Sequence, residues 1–379
     1  MKQFQTKILA LAASLLVVAC GGGGSADTTP RSKITAVKVF GDSLADSGTF
    51  GYKFTVQSAD NQIYPERVAA SYGITLCNFY TFTTTFAPNS KAGCTNYAIG
   101  GGVINMTTSA VDPRGIPVQL ATAAAAGAYA STDLALIDGG GNDAAALVGA
   151  YLAAARDGGA SYVALLGTLL TPAQVATAAG GGQAGLATAG TLYMQALADK
   201  FYTAIKTNVL DKGAQQVAIL NMPGITNTPR FQMVLDSIAA ASGGGTAGAA
   251  ARAQSETLFK GWVVAFNTQL DAKFAGENRV AVIDFYTAFN DQFTMPAQFS
   301  LTNVKTPACP VTGTGSDGLP TYSFPTCTAA ALSAAPPTGV TGADWWKSYA
   351  FADSFHPTPY GHQLTGQLIS RTLAVKGWL

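Results

Sequence analysis

Residues 36–48 read AVKVFGDSLADSG, a short and mostly apolar run, Ala36–Phe40, that stops at a glycine, an acid and a serine. Such a run, bounded by turn residues, predicts a strand buried in a sheet. Three more runs of this kind follow at Leu134–Asp138, Gln216–Leu220 and Val280–Phe285, with long alanine-rich segments between them. Within those segments, Val118–Ala130, Leu186–Leu210 and Ala249–Phe274 carry apolar residues at helical spacing. Strand alternating with helix predicts an α/β fold, a parallel sheet with helices on both faces. In a doubly wound sheet, ligands sit beyond the carboxyl ends of the strands, so Ser43 occupies a position suited to a nucleophile. The same residue also suits a helix N-cap, and alone it decides nothing.

Composition bounds the rest. The chain has 379 residues, 48% hydrophobic and 11% charged, which is enough to bury a substantial core. Lys plus Arg is 22 against 21 for Asp plus Glu, a net charge of +1, so no basic field exists to hold phosphate backbones and nucleic acid is not an expected partner. There is no internal repeat. The glycine clusters at 180–182 and 243–245 read as loops or helix interruptions. Residues 305–343, rich in Thr, Pro and Gly, are expected to form a stapled surface excursion of one domain spanning 33–379. No sequence feature calls for an obligate protein partner.

The N-terminus carries Lys2 and Lys7, an apolar stretch from Ile8 to Ala19, and VVAC at 17–20. This resembles a bacterial lipoprotein signal, with an ordinary signal peptide as the alternative. A spanning helix is disfavoured by the short apolar stretch. The resemblance implies cleavage after residue 19, lipidation of Cys20 and a membrane anchor through that lipid. Gly21, where an aspartate would signal retention, points to the outer membrane. Residues 20–32 read as a flexible tether. Four cysteines remain, an even number in an exported chain, which suggests two disulfides. Proximity favours Cys77 with Cys94 and Cys309 with Cys327, although four cysteines allow three connectivities. A metal site is the weaker reading, since no CxxC pair occurs.

Three further stretches bear on chemistry. GGGNDAAAL follows the run LALID and places Asn142 just past a predicted strand end, where its amide can donate to an oxyanion. NYAIGGGVIN, 96–105, offers backbone N–H groups at glycines 100, 101 and 102. FADSFHPTPYGH sets Asp353 three residues before His356, a base with its own orienting acid. Asp42 and Asp46 are expected to shape the turn around Ser43 through backbone hydrogen bonds. His362 is expected to be structural, on a helix starting near Tyr360. Trp345 and Trp346 read either as packing residues or as the lining of an acyl pocket.

The four blocks GDSLADSG at 41–48, NYAIGGG at 96–102, GGND at 140–143 and DSFH at 353–356 resemble, in order, those of the GDSL lipases and esterases, the SGNH hydrolases. The resemblance implies a three-layer α/β/α flavodoxin-like fold and a serine ester hydrolase that needs no cofactor or metal. It makes Ser43 the nucleophile, His356 the general base and acid, and Asp353 the residue that orients His356. It makes Ser43, Gly101 and Asn142 the oxyanion donors, with Gly100 as an alternative to Gly101. Esters or lipids of short to medium acyl length are the expected substrates. Acetylated polysaccharide is the enzymatic alternative, and a noncatalytic surface-binding lipoprotein the alternative from another class. No cysteine belongs to this site, so reduction is expected to affect stability and leave the chemistry alone.

Overall fold

A computed structural model describes residues 32–379; the expected export signal, Cys20 and nearly all of the tether lie outside them. The strands are β1 Ala36–Phe40, β2 Tyr80–Phe82, β3 Phe86–Pro88, β4 Asp133–Ile137, β5 Gln216–Leu220 and β6 Val280–Ile283. Four of them form a parallel sheet in the order β1-β4-β5-β6, in register through Phe40 with Ile137, Leu136 with Ala218, and Leu220 with Ile283. Alternate residues of each strand enter opposite cores. Phe40, Ile137, Val217 and Ile219 join a core with Phe201, Trp262 and Phe266, whereas Val39, Leu136, Ala218 and Ile283 join one with Tyr64, Phe289 and Ile369. Both faces are therefore apolar, which is why these strands read as unbroken apolar runs.

Helices Ile116–Ala125, Gly141–Asp157, Gly182–Ile205 and Gly245–Phe274 cover the first face. Helices Tyr64–Ala70, Phe285–Thr294 and Pro359–Val375 cover the second, completing three layers. Beyond β1, residues 95–97 run parallel to it: the Val39 N–H donates to the Thr95 carbonyl at 3.0 Å, and the Tyr97 N–H donates to the Val39 carbonyl at 2.8 Å. This reduced fifth strand restores the flavodoxin-like order, with its switch point between β1 and β4.

Two strand expectations shift at their ends. The second strand begins at Asp133 and releases Asp138. The fourth stops at Ile283, because Asp284 accepts from the Thr287 N–H at 3.0 Å and caps the helix that Phe285 opens. Both glycine clusters interrupt helices, at the junction Pro172–Gly180 to Gly182–Ile205 and at the junction Pro229–Ala241 to Gly245–Phe274. Among the described residues, no helix is long and apolar enough to cross a membrane.

The disulfides are Cys77–Cys94 and Cys309–Cys327, which excludes the other two connectivities. The second staples the 305–343 excursion, which carries a two-stranded ribbon, β7 Gly313–Thr314 and β8 Pro320–Thr321. Its interior is a third apolar core that holds Phe324, Leu332, Trp345 and Trp346. The Trp345 indole donates to the Leu332 carbonyl at 2.7 Å and that of Trp346 to the Ser333 hydroxyl at 3.2 Å. Both tryptophans are buried, so they pack this lobe and do not line an acyl pocket.

Candidate active site

The chain leaves β1 through a turn held by side chains of two helices and of the residue just past β4. The Gly41 N–H donates to the Gln119 amide oxygen at 2.9 Å, and the Gly41 carbonyl accepts from the same amide at 3.0 Å. The Asp42 N–H donates to the Asp138 carboxyl at 3.1 Å, and the Tyr64 hydroxyl donates to its other oxygen at 3.0 Å. A Cβ on Gly41 would stand 1.5 Å from that Asp138 oxygen, so only glycine admits this support. The Asp42 carbonyl then accepts from the Ala45 and Asp46 N–H groups, both at 3.1 Å, winding the chain into a helical turn that presents Ser43. Burial, with Asp42 alongside, pushes the Asp138 carboxyl well above its ordinary range, and burial raises Asp42 too.

Asp42 and Asp46 shape the turn as expected. Asp42 accepts from the Leu44 N–H at 3.0 Å, and Asp46 accepts from Gly48 and Thr49 at 2.9 and 2.8 Å. The other Asp46 oxygen accepts from the Gly100 N–H at 2.8 Å, tying the second block to the first.

Asp353 and His356 lie on a tight loop in which Phe351 pairs with Pro357 and the Ala352 N–H donates to the His356 carbonyl at 2.8 Å. Asp353 accepts from the backbone N–H groups of Phe355 and His356 at 2.8 and 2.6 Å. Its carboxylate also faces His356 Nδ1, with oxygens at 2.9 and 3.0 Å. His356 Nε2 lies 2.8 Å from Ser43 Oγ, across 313 positions of sequence. A carboxylate only accepts, so Nδ1 carries the hydrogen and Nε2 is left to accept from the serine. Burial alone would raise Asp353, but the His356 ring and these hydrogen bonds outweigh it and hold the carboxyl below its usual range.

The blocks that carry Ser43, Gly101 and Asn142 meet through Gly102, which sits against the Gly41 carbonyl and the Asp42 backbone. The backbone N–H groups of Ser43 and Gly101 have no acceptor among the described residues. The Gly100 N–H is committed to Asp46 and that of Gly102 to the Ile99 carbonyl at 2.9 Å. Asn142 stands in the first turn of helix Gly141–Asp157 and donates one amide hydrogen to the Gly102 carbonyl at 2.9 Å. Its second hydrogen has no acceptor among the described residues, and the helix N-terminus adds positive potential there. A Cβ on Gly102 would come within 2.6 Å of the Gly41 carbonyl, which explains the absence of a side chain where the two blocks touch.

Sequence reasoning missed the walls. Phe54 and Phe324 flank the His356 ring at centroid distances of 5.3 and 5.4 Å. Phe324 belongs to the same buried cluster as Cys309 and Cys327. His362 is buried in the helix Pro359–Val375, its Nδ1 accepting from the Tyr64 N–H at 3.4 Å, and burial lowers its pKa to about 3.

Asp143, next to Asn142, accepts from the Ile104 and Asn105 N–H groups at 2.9 and 2.8 Å. Burial nonetheless raises its pKa to about 6 from 3.8. A carboxyl that binds its proton more tightly when folded contributes stability below its unfolded pKa and loses it as pH rises through the folded value. The urea midpoint of the protein should therefore fall relative to that of Asp143→Asn between about pH 4 and 7. A constant difference across that range would remove this assignment.

A doubly wound sheet carrying a hydrogen-bonded serine, histidine and aspartate beyond its strand ends defines the chain as having the SGNH hydrolase fold. The family described as GDSL-like Lipase/Acylhydrolase matches residues 37–369, and the chain belongs to that family. No curated protein is matched by the chain.

Proposed function

We propose that the protein is a serine carboxylic ester hydrolase acting through Ser43, His356 and Asp353. The observation that carries this reading is the continuous path from the Asp353 carboxylate through His356 to Ser43 Oγ, at 2.9 and 2.8 Å. His356 Nε2 takes the Ser43 proton as Oγ attacks the ester carbonyl. The tetrahedral oxyanion is met by the N–H groups of Ser43 and Gly101 and the free Asn142 amide hydrogen, Gly100 being engaged elsewhere. Collapse breaks the ester C–O bond, and His356 gives its proton to the departing alcohol. Water, deprotonated by His356, then attacks the acyl-enzyme, the acid leaves and the proton returns to Ser43.

Removing one oxyanion donor costs about 10² to 10³ in turnover. Hydrolysis of p-nitrophenyl esters by Asn142→Ala should drop by that factor with KM little changed. Full activity in that variant would take Asn142 out of the site.

Acyl esters of short to medium length are our preferred substrates. Acetylated glycans are the alternative, favoured if acetate is released from them while longer esters are left intact. Export as a lipoprotein through Cys20, with an outer-membrane location, completes the proposal and rests on the N-terminal sequence alone.

A further inference from the structure

A cavity of about 50 Å³ is lined by Ser43 and, from the loop that carries His356, by Phe355 and Pro357. Beyond the serine turn, Leu220, Ile225, Phe289, Ala350 and Phe355 make its lining largely apolar. The acidic groups at its mouth are engaged, Asp138 with the Asp42 N–H and Tyr64, and Asp42 with the Leu44 N–H. Phe285, Gln292 and Thr365 line it and also line a second cavity of about 280 Å³, so they form the partition between the two. Gln292 is 6% exposed, and its side-chain amide makes no hydrogen bond with any described residue.

We propose that the acyl chain of the substrate enters this slot and ends against Gln292 and Thr365, which confines the enzyme to short acyl groups. The inference rests on the ester-hydrolase reading above. It assigns the acyl side to the slot for a geometric reason. His356 must protonate the departing oxygen; of the rings packed on it, Phe54 and Phe324 do not line the slot whereas Phe355 does, so we place the alcohol toward Phe54 and Phe324 and the acyl chain inward along Phe355. A water-sized group needs roughly 10–15 Å³ of such space, so the slot holds about three to five groups of methylene size. That corresponds to butyryl through hexanoyl chains.

The test is a p-nitrophenyl ester series from acetate to decanoate, run with the full chain, Gln292→Ala and Thr365→Leu. Each methylene in an apolar pocket is worth roughly ten-fold or more in discrimination. The wild type should peak between butyrate and hexanoate. Gln292→Ala, by opening the slot into the second cavity, should raise the decanoate-to-butyrate ratio about ten-fold or more. Thr365→Leu, by filling the end, should lower butyrate relative to acetate by a similar factor, about ten-fold. An active wild type peaking at acetate or decanoate overturns the slot, as does a wild-type profile in either folded variant. Absence of Ser43-dependent hydrolysis across the whole series would instead remove the ester-hydrolase reading, and the slot with it.

Discussion

Ser43→Ala should lose about 10⁶ in kcat on any ester the protein hydrolyses, the size of loss that follows removal of a triad nucleophile. The hydroxyl's contact with His356 Nε2 is the one hydrogen bond its side chain makes among the described residues, so alanine removes it without touching the turn. Gln119, Asp138 and Tyr64 hold that turn through Gly41 and Asp42, and they remain. The variant should therefore melt close to the wild type while its chemistry collapses. A fluorophosphonate provides an independent readout: wild type should be labelled stoichiometrically on the Ser43 peptide and the variant not at all. A folded variant with undiminished turnover would end the serine mechanism.

Asp353→Asn should cost about 10⁴ in kcat, near 5 kcal/mol, with KM little altered. The carboxylate now fixes the His356 hydrogen on Nδ1. An amide that turns its NH₂ toward Nδ1 moves that hydrogen to Nε2, where it faces Ser43 and cannot accept the proton. Since His356 holds the Asp353 carboxyl below its usual range, the wild-type site should keep its orienting charge throughout neutral and mildly acidic pH. A loss carried by KM, or a variant within ten-fold of wild type, would mean that Asp353 serves the loop and not the base.

The sheet was legible because both its faces are buried, leaving β1, β4, β5 and β6 as apolar runs that end at turn residues. The helices were less so. Gly141–Asp157, Ala160–Leu166 and Pro172–Gly180 are short or rich in alanine, a residue that fills buried and exposed positions alike, as Ala144 and Ala146 do here. The reduced fifth strand is polar and joins the sheet through one bridge, below any strand signal.

In the site, spacing brought out Asp353 and His356, three residues apart, and the glycine block at 100–102. It had no means of separating Gly100 from Gly101, because the difference is a hydrogen bond from Gly100 to Asp46 made across the fold. Asp138 had a weak signal, an acid closing an apolar strand. Phe54 and Phe324 had none, since rings become walls only when distant loops meet at His356.

The separation of Ser43 from His356 by 313 positions has a bearing on biosynthesis. Ser43 is translated 313 positions ahead of the histidine proposed as its base. Contacts this distant in sequence close late in folding. Under the proposed mechanism, a polypeptide in which the His356 loop has not yet been made and docked carries an inert serine.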